Sequence, residues 1–145
     1  MRSFTLIELI IVIIIIGILA TFAMPAFMET KEKALTKEAI ANLKLIAAAE
    51  KIWRMESANN AYTSCPCNTP AICNAAPPPA PGGCNYLLKL YLTTQNWTYW
   101  VTAVVPPPST FIAYAQRQPG GKYAACRYRI NQAQVEPVVA VPPCP

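Results

Sequence analysis

The stretch that decides the fold is FTLIELIIV at residues 4–12, which continues through an almost unbroken apolar run to Phe27. Its length and composition predict a helix that enters a lipid bilayer. Glu8 opposes insertion by about 3 kcal/mol, but the surrounding Leu, Ile, Val and Phe side chains each favour it by roughly 0.3 to 0.6 kcal/mol. A single ionisable residue in such a helix is tolerated only when something pairs with it. Glu8 is therefore the first candidate functional residue.

The residues around this run predict its orientation and its weak point. Residues 1–3 form a short basic leader, and Arg2 beside the apolar run favours a cytoplasmic N-terminus. We expect one helix over residues 4–27, with Gly17 and Pro25 bracketing the place where it kinks or unwinds. Pro25 lacks a backbone donor and its ring clashes with the preceding turn.

The composition changes after Pro25, where charged residues appear but helix formers continue. Residues 28–57 are predicted to form an amphipathic half of the same helix, outside the membrane. At 100° per residue, one face should pack on the rest of the protein. That face holds Leu35, Ala39, Ile46, Ala49 and Trp53. Flanking side chains are left for other contacts, namely Leu43, Leu45 and Ile52. A lysine stripe lies opposite, with Lys33, Lys37, Lys44 and Lys51. The i,i+4 spacing predicts two ion pairs, Glu29 with Lys33 and Glu50 with Arg54.

The remaining residues, 58–145, are predicted to form a small globular head. Residues 59–85 are predicted to form a loop, and they are rich in cysteine and proline. The apolar stretch at 86–92 fits a strand or a short helix equally well. Three strand candidates follow, each rich in aromatic or β-branched residues, at 97–105, 110–117 and 122–131. The predicted fold class is α+β, a long N-terminal helix packed on an antiparallel meander of about three strands within 97–131, with a disulfide-rich loop between.

Composition argues against catalysis and favours an oxidising compartment. The chain of 145 residues has six cysteines, fifteen prolines, no His and no Asp. Hydrolase triads and zinc hydrolases need imidazole or clustered carboxylates, so we expect no enzyme and no cofactor. An even number of cysteines beside an N-terminal membrane signal predicts disulfides. Six cysteines allow fifteen pairings, and Cys65 and Cys67 are poorly placed to bridge each other across Pro66.

Residues 4–25 resemble the N-terminus of type IV pilins, because Phe-Thr-Leu-Ile-Glu at residues 4–8 is followed by an apolar helix, Gly17 and Pro25. The related pseudopilins of type II secretion share these features. The order of long helix, variable loop, strands and late cysteine pair is also similar. The resemblance implies a structural subunit that polymerises through its N-terminal helix into an extracellular helical filament, to which adhesion or motility would belong.

The resemblance also implies a route of assembly. In this family a prepilin peptidase cuts before the Phe and the new amine is methylated, which assigns Ser3 and Phe4 to processing. The precursor would cross the inner membrane once, and an assembly machinery would then move it into a filament of identical subunits on the cell surface. Glu8 would be the assembly carboxylate, paired with the Phe4 amine of a neighbour. It would fix the axial register between subunits.

This chain departs from the family at its leader, since the family usually has Gly before the cut and a longer basic leader. Here Ser3 precedes Phe4, and only residues 1–3 come before it. If these residues stay on the assembled protein, Arg2 or the Met1 amine becomes the expected partner of Glu8.

The resemblance further implies a bridge that fastens the C-terminal loop, formed by Cys126 and Cys144. Two further bridges would then lie in the proline-rich loop, formed among Cys65, Cys67, Cys73 and Cys84. A four-thiolate metal site is the alternative, but the sequence has no clean paired Cys-x-x-Cys spacing. A membrane-anchored metal-binding or electron-transfer module is accordingly the alternative function from a different class.

The basic residues in the head allow two interpretations. No carboxylate side chain occurs between Ser57 and Val135, and the basic residues of the late strands are Arg117, Lys122, Arg127 and Arg129. They could contact phosphate, which would make DNA a partner, or form a solvated edge that discourages sheet aggregation. The missing carboxylates also bear on the second candidate function, a type II secretion pseudopilin. Major pseudopilins commonly hold calcium through late acidic residues, whereas this head offers only Glu136.

Overall fold

The computed structural model describes residues 5–65, 84–92, 95–104, 109–120 and 122–145. The chain divides into two structural units, Met1–Ala34 and Leu35–Pro145. The described elements, in chain order, are α1 (Leu6–Glu56), α2 (Cys84–Leu87), β1 (Trp97–Val104), β2 (Thr110–Arg117), β3 (Arg127–Asn131) and β4 (Val138–Val141). The predicted α+β class, with one long helix followed by an antiparallel sheet, is confirmed.

Helix α1 is 51 residues long and contains both the apolar and the amphipathic stretches. The chain is helical at Gly17 and at Pro25, and the helix is bent between Phe22 and Phe27. A Cβ added at Gly17 would meet no atom within 4 Å. No atom of the described residues therefore requires glycine at position 17, and local unwinding at Gly17 and Pro25 stays a prediction.

The second half of α1 buries one face in the core of the Leu35–Pro145 unit. Its buried apolar side chains are Ala39, Leu43, Ile46 and Ala47. The first three recur at i, i+4 and i+7, which places them on one side of a helix. The prediction that Leu43 flanks this face was wrong, because Leu43 is fully buried. Burying a leucine side chain contributes about 1.5 to 3 kcal/mol to stability, so Leu43 is one of the main anchors of the helix.

The sheet is a meander in the order β1-β2-β3-β4, and all three strand pairs are antiparallel. Alternate residues of β1 to β3 face the core that contains α1. The sheet differs from the predicted meander in two details. A fourth strand exists at Val138–Val141, and the third begins at Arg127 rather than at residue 122, since residues 122–125 form turns.

Two disulfides between described residues fix segments outside the long helix and the sheet. Cys65 is bonded to Cys84, which tethers the chain after α1 to the start of α2, and the backbone of Cys65 also pairs with Val101. In the stretch at 86–92, which fitted a strand or a short helix equally well, residues 86 and 87 belong to the short helix α2. Cys126 is bonded to Cys144, the pairing that the family resemblance implied. The predicted bridges of Cys67 and Cys73 lie outside the described residues.

Candidate functional site

The start of α1 holds Glu8 in a reciprocal capping arrangement with Thr5. The Thr5 hydroxyl donates to Glu8 Oε2 at 3.1 Å and the Thr5 backbone N–H donates to the same oxygen at 3.4 Å. In return, the Glu8 backbone N–H donates to Thr5 Oγ1 at 3.4 Å. This is the capping box, in which a Thr and a Glu three residues later satisfy donors that a helix start leaves unpaired. The carboxylate therefore has a local partner in the single subunit.

Sequence reasoning missed this contact, although its signal was present. Thr5-x-x-Glu8 is the pattern of a capping box before an apolar run. The partners predicted for Glu8 are the Phe4 amine, Arg2 and the Met1 amine, and these residues, like Ser3, lie outside the described residues.

The apolar half of α1 has no covering partner within the Met1–Ala34 unit. Every residue from Leu6 to Phe22 is exposed, and the exposed fraction rises to 77% at Leu6 and 75% at Phe22. Soluble monomers rarely expose so large an apolar surface, and one of this size marks a membrane or protein contact. Among the described residues no single helix meets the length and composition required of a membrane span. The pair Leu6–Phe22 and Phe27–Glu56, bent at its junction, does meet them together.

The amphipathic half of α1 carries a second apolar surface, on the side opposite its buried face. Leu45, Ile52 and Met55 are 48%, 52% and 75% exposed, and their spacing of seven and three residues places them on one side of the helix. Exposure of Leu45 and Ile52 agrees with the prediction that they are left for other contacts. We call Leu45, Ile52 and Met55 the outer stripe of α1.

Glu50 is the one fully buried carboxyl among the described residues, and the sequence assigned it wrongly. It does not pair with Arg54. Its Oε2 accepts a hydrogen bond of 3.1 Å from the Thr63 backbone N–H, whereas its buried Oε1 has no partner. Arg54 instead donates to the Asn60 carbonyl and to the Tyr62 hydroxyl. Position 50 lies on the same side of α1 as Leu43, and this periodicity could have revealed its burial.

Burial raises the pKa of Glu50 from 4.5 to about 7, and the Thr63 hydrogen bond offsets this only in part. The folded state holds the Glu50 proton more tightly than the unfolded state does. The stability that this protonated group contributes should therefore be fully present below about pH 4.5 and should be lost as the pH rises through about 7. We expect the thermal unfolding midpoint of the full chain in detergent to drop between pH 5 and pH 8. Glu50→Gln stays neutral and keeps an acceptor for Thr63, so its midpoint should drop less. Equal drops in the two proteins would contradict this prediction.

The four basic residues singled out in the sequence lie in three different settings. Arg127 and Arg129 lie on the same side of β3, as their spacing predicted. Arg117, at the end of β2, donates to the Asn96 carbonyl at 2.7 Å. Lys122 is exposed in the turn before β3, with its ammonium 5.3 Å from the Tyr123 ring centre. No group of three or more metal-ligating residues occurs among the described side chains.

Comparisons with known proteins concern mainly the N-terminal helix. Residues 1–24 match the family described as the prokaryotic N-terminal methylation motif. A type IV major pilin protein of Myxococcus xanthus is 50% identical over 55 residues, which are 38% of this chain and 25% of that protein. Type II secretion system core protein G of Pectobacterium carotovorum is 36% identical over 63 residues, 43% of this chain and 39% of that protein.

A second core protein G, from Aeromonas hydrophila, is 35% identical over 80 residues, which are 53% of this chain and 54% of that protein. The matches thus span between a quarter and about half of the length of these relatives. No solved structure matches the chain. The resemblance stated from residues 4–25 is confirmed by the matched motif and by relatives of both kinds.

Proposed function

We propose that this chain, a member of the family that unites type IV pilins with type II secretion pseudopilins, is the structural subunit of a type IV pilus. The observation that carries the proposal is the uncovered apolar helix from Leu6 to Phe22 with one carboxylate at its start. Lipid covers this helix in the precursor, which crosses the inner membrane once. Neighbouring helices cover it in the extracellular filament.

The proposal includes processing and a change in the helix on assembly. A prepilin peptidase removes residues 1–3, the amine of Phe4 is methylated, and an assembly machinery extracts the subunit from the membrane. Glu8 then exchanges its local contact with Thr5 for the Phe4 amine of a neighbour, and Gly17 and Pro25 let the helix loosen where neighbours pack. If residues 1–3 are retained, Arg2 or the Met1 amine takes the place of the Phe4 amine.

The outer stripe of α1 supports polymerisation independently of the apolar half. A helix that packs its inner face on its own sheet has no need of apolar residues on the opposite side, where charged and polar residues are the rule. Leu45, Ile52 and Met55 nonetheless occupy that side. A side-by-side contact with another subunit would remove them from water.

Leu45→Lys combined with Ile52→Lys should therefore reduce surface filaments by at least tenfold. Lysine is as good a helix former as leucine, and both positions are about half exposed, so the subunit should still fold and enter the membrane. Filaments sheared from cells and imaged by electron microscopy, together with the amount of subunit in the membrane fraction, measure the two effects. Tyr91→Lys is the matched control, since Tyr91 is 84% exposed and lies off the helix. Wild-type filament numbers from the double variant would contradict the stripe as a subunit contact.

A type II secretion pseudopilin is the second candidate, and the core protein G relatives favour it. The scarcity of carboxylates in the head favours the pilin. Calcium needs six or more oxygen ligands, several of them usually anionic. Glu136 is the carboxylate between β3 and β4, and its Oε1 lies 2.5 Å from Lys44 Nζ in an ion pair. Long surface filaments that contain this subunit, seen by immunolabelled electron microscopy, would identify a pilus. A requirement for protein secretion without long filaments would identify a pseudopilus.

A metal-binding or electron-transfer module is the candidate from another class, and the structure gives it less support. Four of the six cysteines are joined in disulfides, and a disulfide sulfur is not a thiolate ligand.

A further inference from the structure

The sheet surface that faces away from α1 carries aromatic rings in register with arginine. The side chains that alternate with the buried residues of β1 to β3 point to this surface. Trp100 of β1 lies opposite Tyr114 of β2, and Tyr114 lies opposite Arg129 of β3. The Trp100 and Tyr114 rings are stacked, with centres 5.1 Å apart and planes 17° from parallel.

Arg127 extends this stack from the next outward position of β3. Its guanidinium carbon lies 5.2 Å from the centre of the Trp100 ring, and one of its terminal nitrogens donates to Gln116 Oε1 at 2.8 Å. The buried Nε of Arg127 has no acceptor among the described residues. The guanidinium is therefore positioned by a ring and a neutral amide, and no described carboxylate forms an ion pair with it. We call Trp100, Tyr114, Gln116, Arg127 and Arg129 the aromatic–arginine surface.

The head has few carboxylates that could neutralise this surface. Between Ser57 and Val135 the sequence has no carboxylate. Glu136 follows that span, but it forms an ion pair with Lys44 of α1. Arg129 is exposed and forms no ion pair with any described carboxylate. A ligand that supplies negative charge would thus meet two arginines that no carboxylate in the described part of the chain neutralises.

We propose that the aromatic–arginine surface binds single-stranded nucleic acid. Arginine neutralises phosphates, and aromatic rings and guanidinium planes stack with exposed bases, as in sheets that bind single strands. A duplex keeps its bases stacked inside and offers only its phosphates to this flat surface. The aromatic residues therefore favour a single strand over a duplex. This binding goes beyond polymerisation and belongs to the head of each subunit.

A labelled oligothymidylate titrated with the full chain in detergent micelles tests the proposal, whether or not the subunit polymerises. Affinity should fall with added salt. Arg127→Gln combined with Arg129→Gln should weaken binding at least tenfold and reduce the slope of log affinity against log salt by about 1.4, since each phosphate contact on a single strand contributes about 0.7. Trp100→Leu should weaken binding by about tenfold with the salt slope unchanged, because a stacking contact is lost.

Matched controls separate a specific surface from overall charge. Lys37→Gln combined with Lys51→Gln changes the net charge equally on exposed positions of α1 and should leave affinity within twofold of wild type. Trp100→Phe keeps a ring and should bind nearly as well as wild type, which guards against misfolding of the leucine variant. A duplex of equal length and an acidic polysaccharide should bind at least tenfold more weakly. Equal affinity for these ligands, equal losses in the lysine and arginine variants, or no binding at low salt would each overturn the proposal.

Discussion

Glu8→Gln is expected to abolish filaments and to leave the subunit folded and inserted in the membrane. Glutamine suits the N3 position of a capping box as glutamate does, so the hydrogen bonds with Thr5 that begin α1 should persist. Only the negative charge is removed. Insertion should become easier, because glutamate opposes it by about 3 kcal/mol on insertion scales.

Under the proposed function, the loss would arise in the filament, where the cation that pairs with Glu8 would be left without its partner. Leaving one member of a buried ion pair without its partner costs about 3 to 5 kcal/mol. That energy corresponds to a factor of roughly one hundred or more in the equilibrium for adding each subunit. A polymer repeats this penalty at every subunit, so the filaments should disappear rather than shorten.

Three variants separate the charge of Glu8 from its role in capping. Glu8→Ala removes both the charge and the cap, whereas Thr5→Val removes only the hydroxyl partner at a cost of about 1 kcal/mol. If pairing between subunits is the function, Glu8→Gln and Glu8→Ala should both lack filaments and Thr5→Val should retain many of them. Normal filaments from Glu8→Gln beside defective ones from Glu8→Ala would show that Glu8 acts only as a cap.

The partner of Glu8 depends on processing, which the mass of the assembled subunit decides. A subunit that begins at a methylated Phe4 would offer its amine to a neighbour. A subunit that begins at Met1 would make Arg2 or the Met1 amine the partner and would contradict cleavage before Phe4. In that case Arg2→Gln should reproduce the filament loss of Glu8→Gln.

The long helix and the first two strands were predictable because each has a strong local signal, an unbroken apolar run at the start of the helix and eight-residue stretches rich in aromatic or β-branched residues for the strands. An apolar run in lipid must satisfy its backbone hydrogen bonds within the helix. In β1 and β2, buried and less buried side chains alternate, which places one side of each strand in the core. Strand β4 gave no such signal. It has only four residues between Pro137 and Pro142, and its valines are partly exposed. Strand pairing with β3, rather than burial, defines it.

The residues of the candidate sites were predicted less completely, since their roles depend on contacts between distant elements. The spacing of four residues between Glu50 and Arg54 suggested a surface ion pair, but residues on a buried helix face show the same spacing. Its partner, the Thr63 backbone, is supplied by a loop 13 residues later. Similarly, Trp100 meets Arg127 only through the register of three strands. The sequence singled out Arg127 as basic but could not place a ring beside it.

Removal of the Cys126–Cys144 disulfide is expected to produce a large loss of head stability. The two cysteines are 18 residues apart in the sequence, and closing a loop of about this size stabilises a fold by roughly 3 kcal/mol in the chain-entropy model. Within the segment they enclose, the part that follows β3 has few other anchors. Val135 and Val139 are 82% and 51% exposed, so little apolar burial holds this part of the chain.

Cys126→Ala combined with Cys144→Ala should therefore lower the free energy of unfolding by about 2 to 5 kcal/mol. Alanine is preferable to serine because Cys126 is fully buried, and a buried hydroxyl without a partner would add a separate penalty. Denaturant unfolding of the full chain in detergent measures the loss, and limited proteolysis should show cleavage first in residues 132–145. A matched double variant at Cys65 and Cys84 should instead leave cleavage of residues 132–145 as in the wild type. A Cys126 and Cys144 variant as stable as the wild type would mean that strand pairing of β4 with β3 and the contact between Lys44 and Glu136 suffice to hold the C-terminal segment.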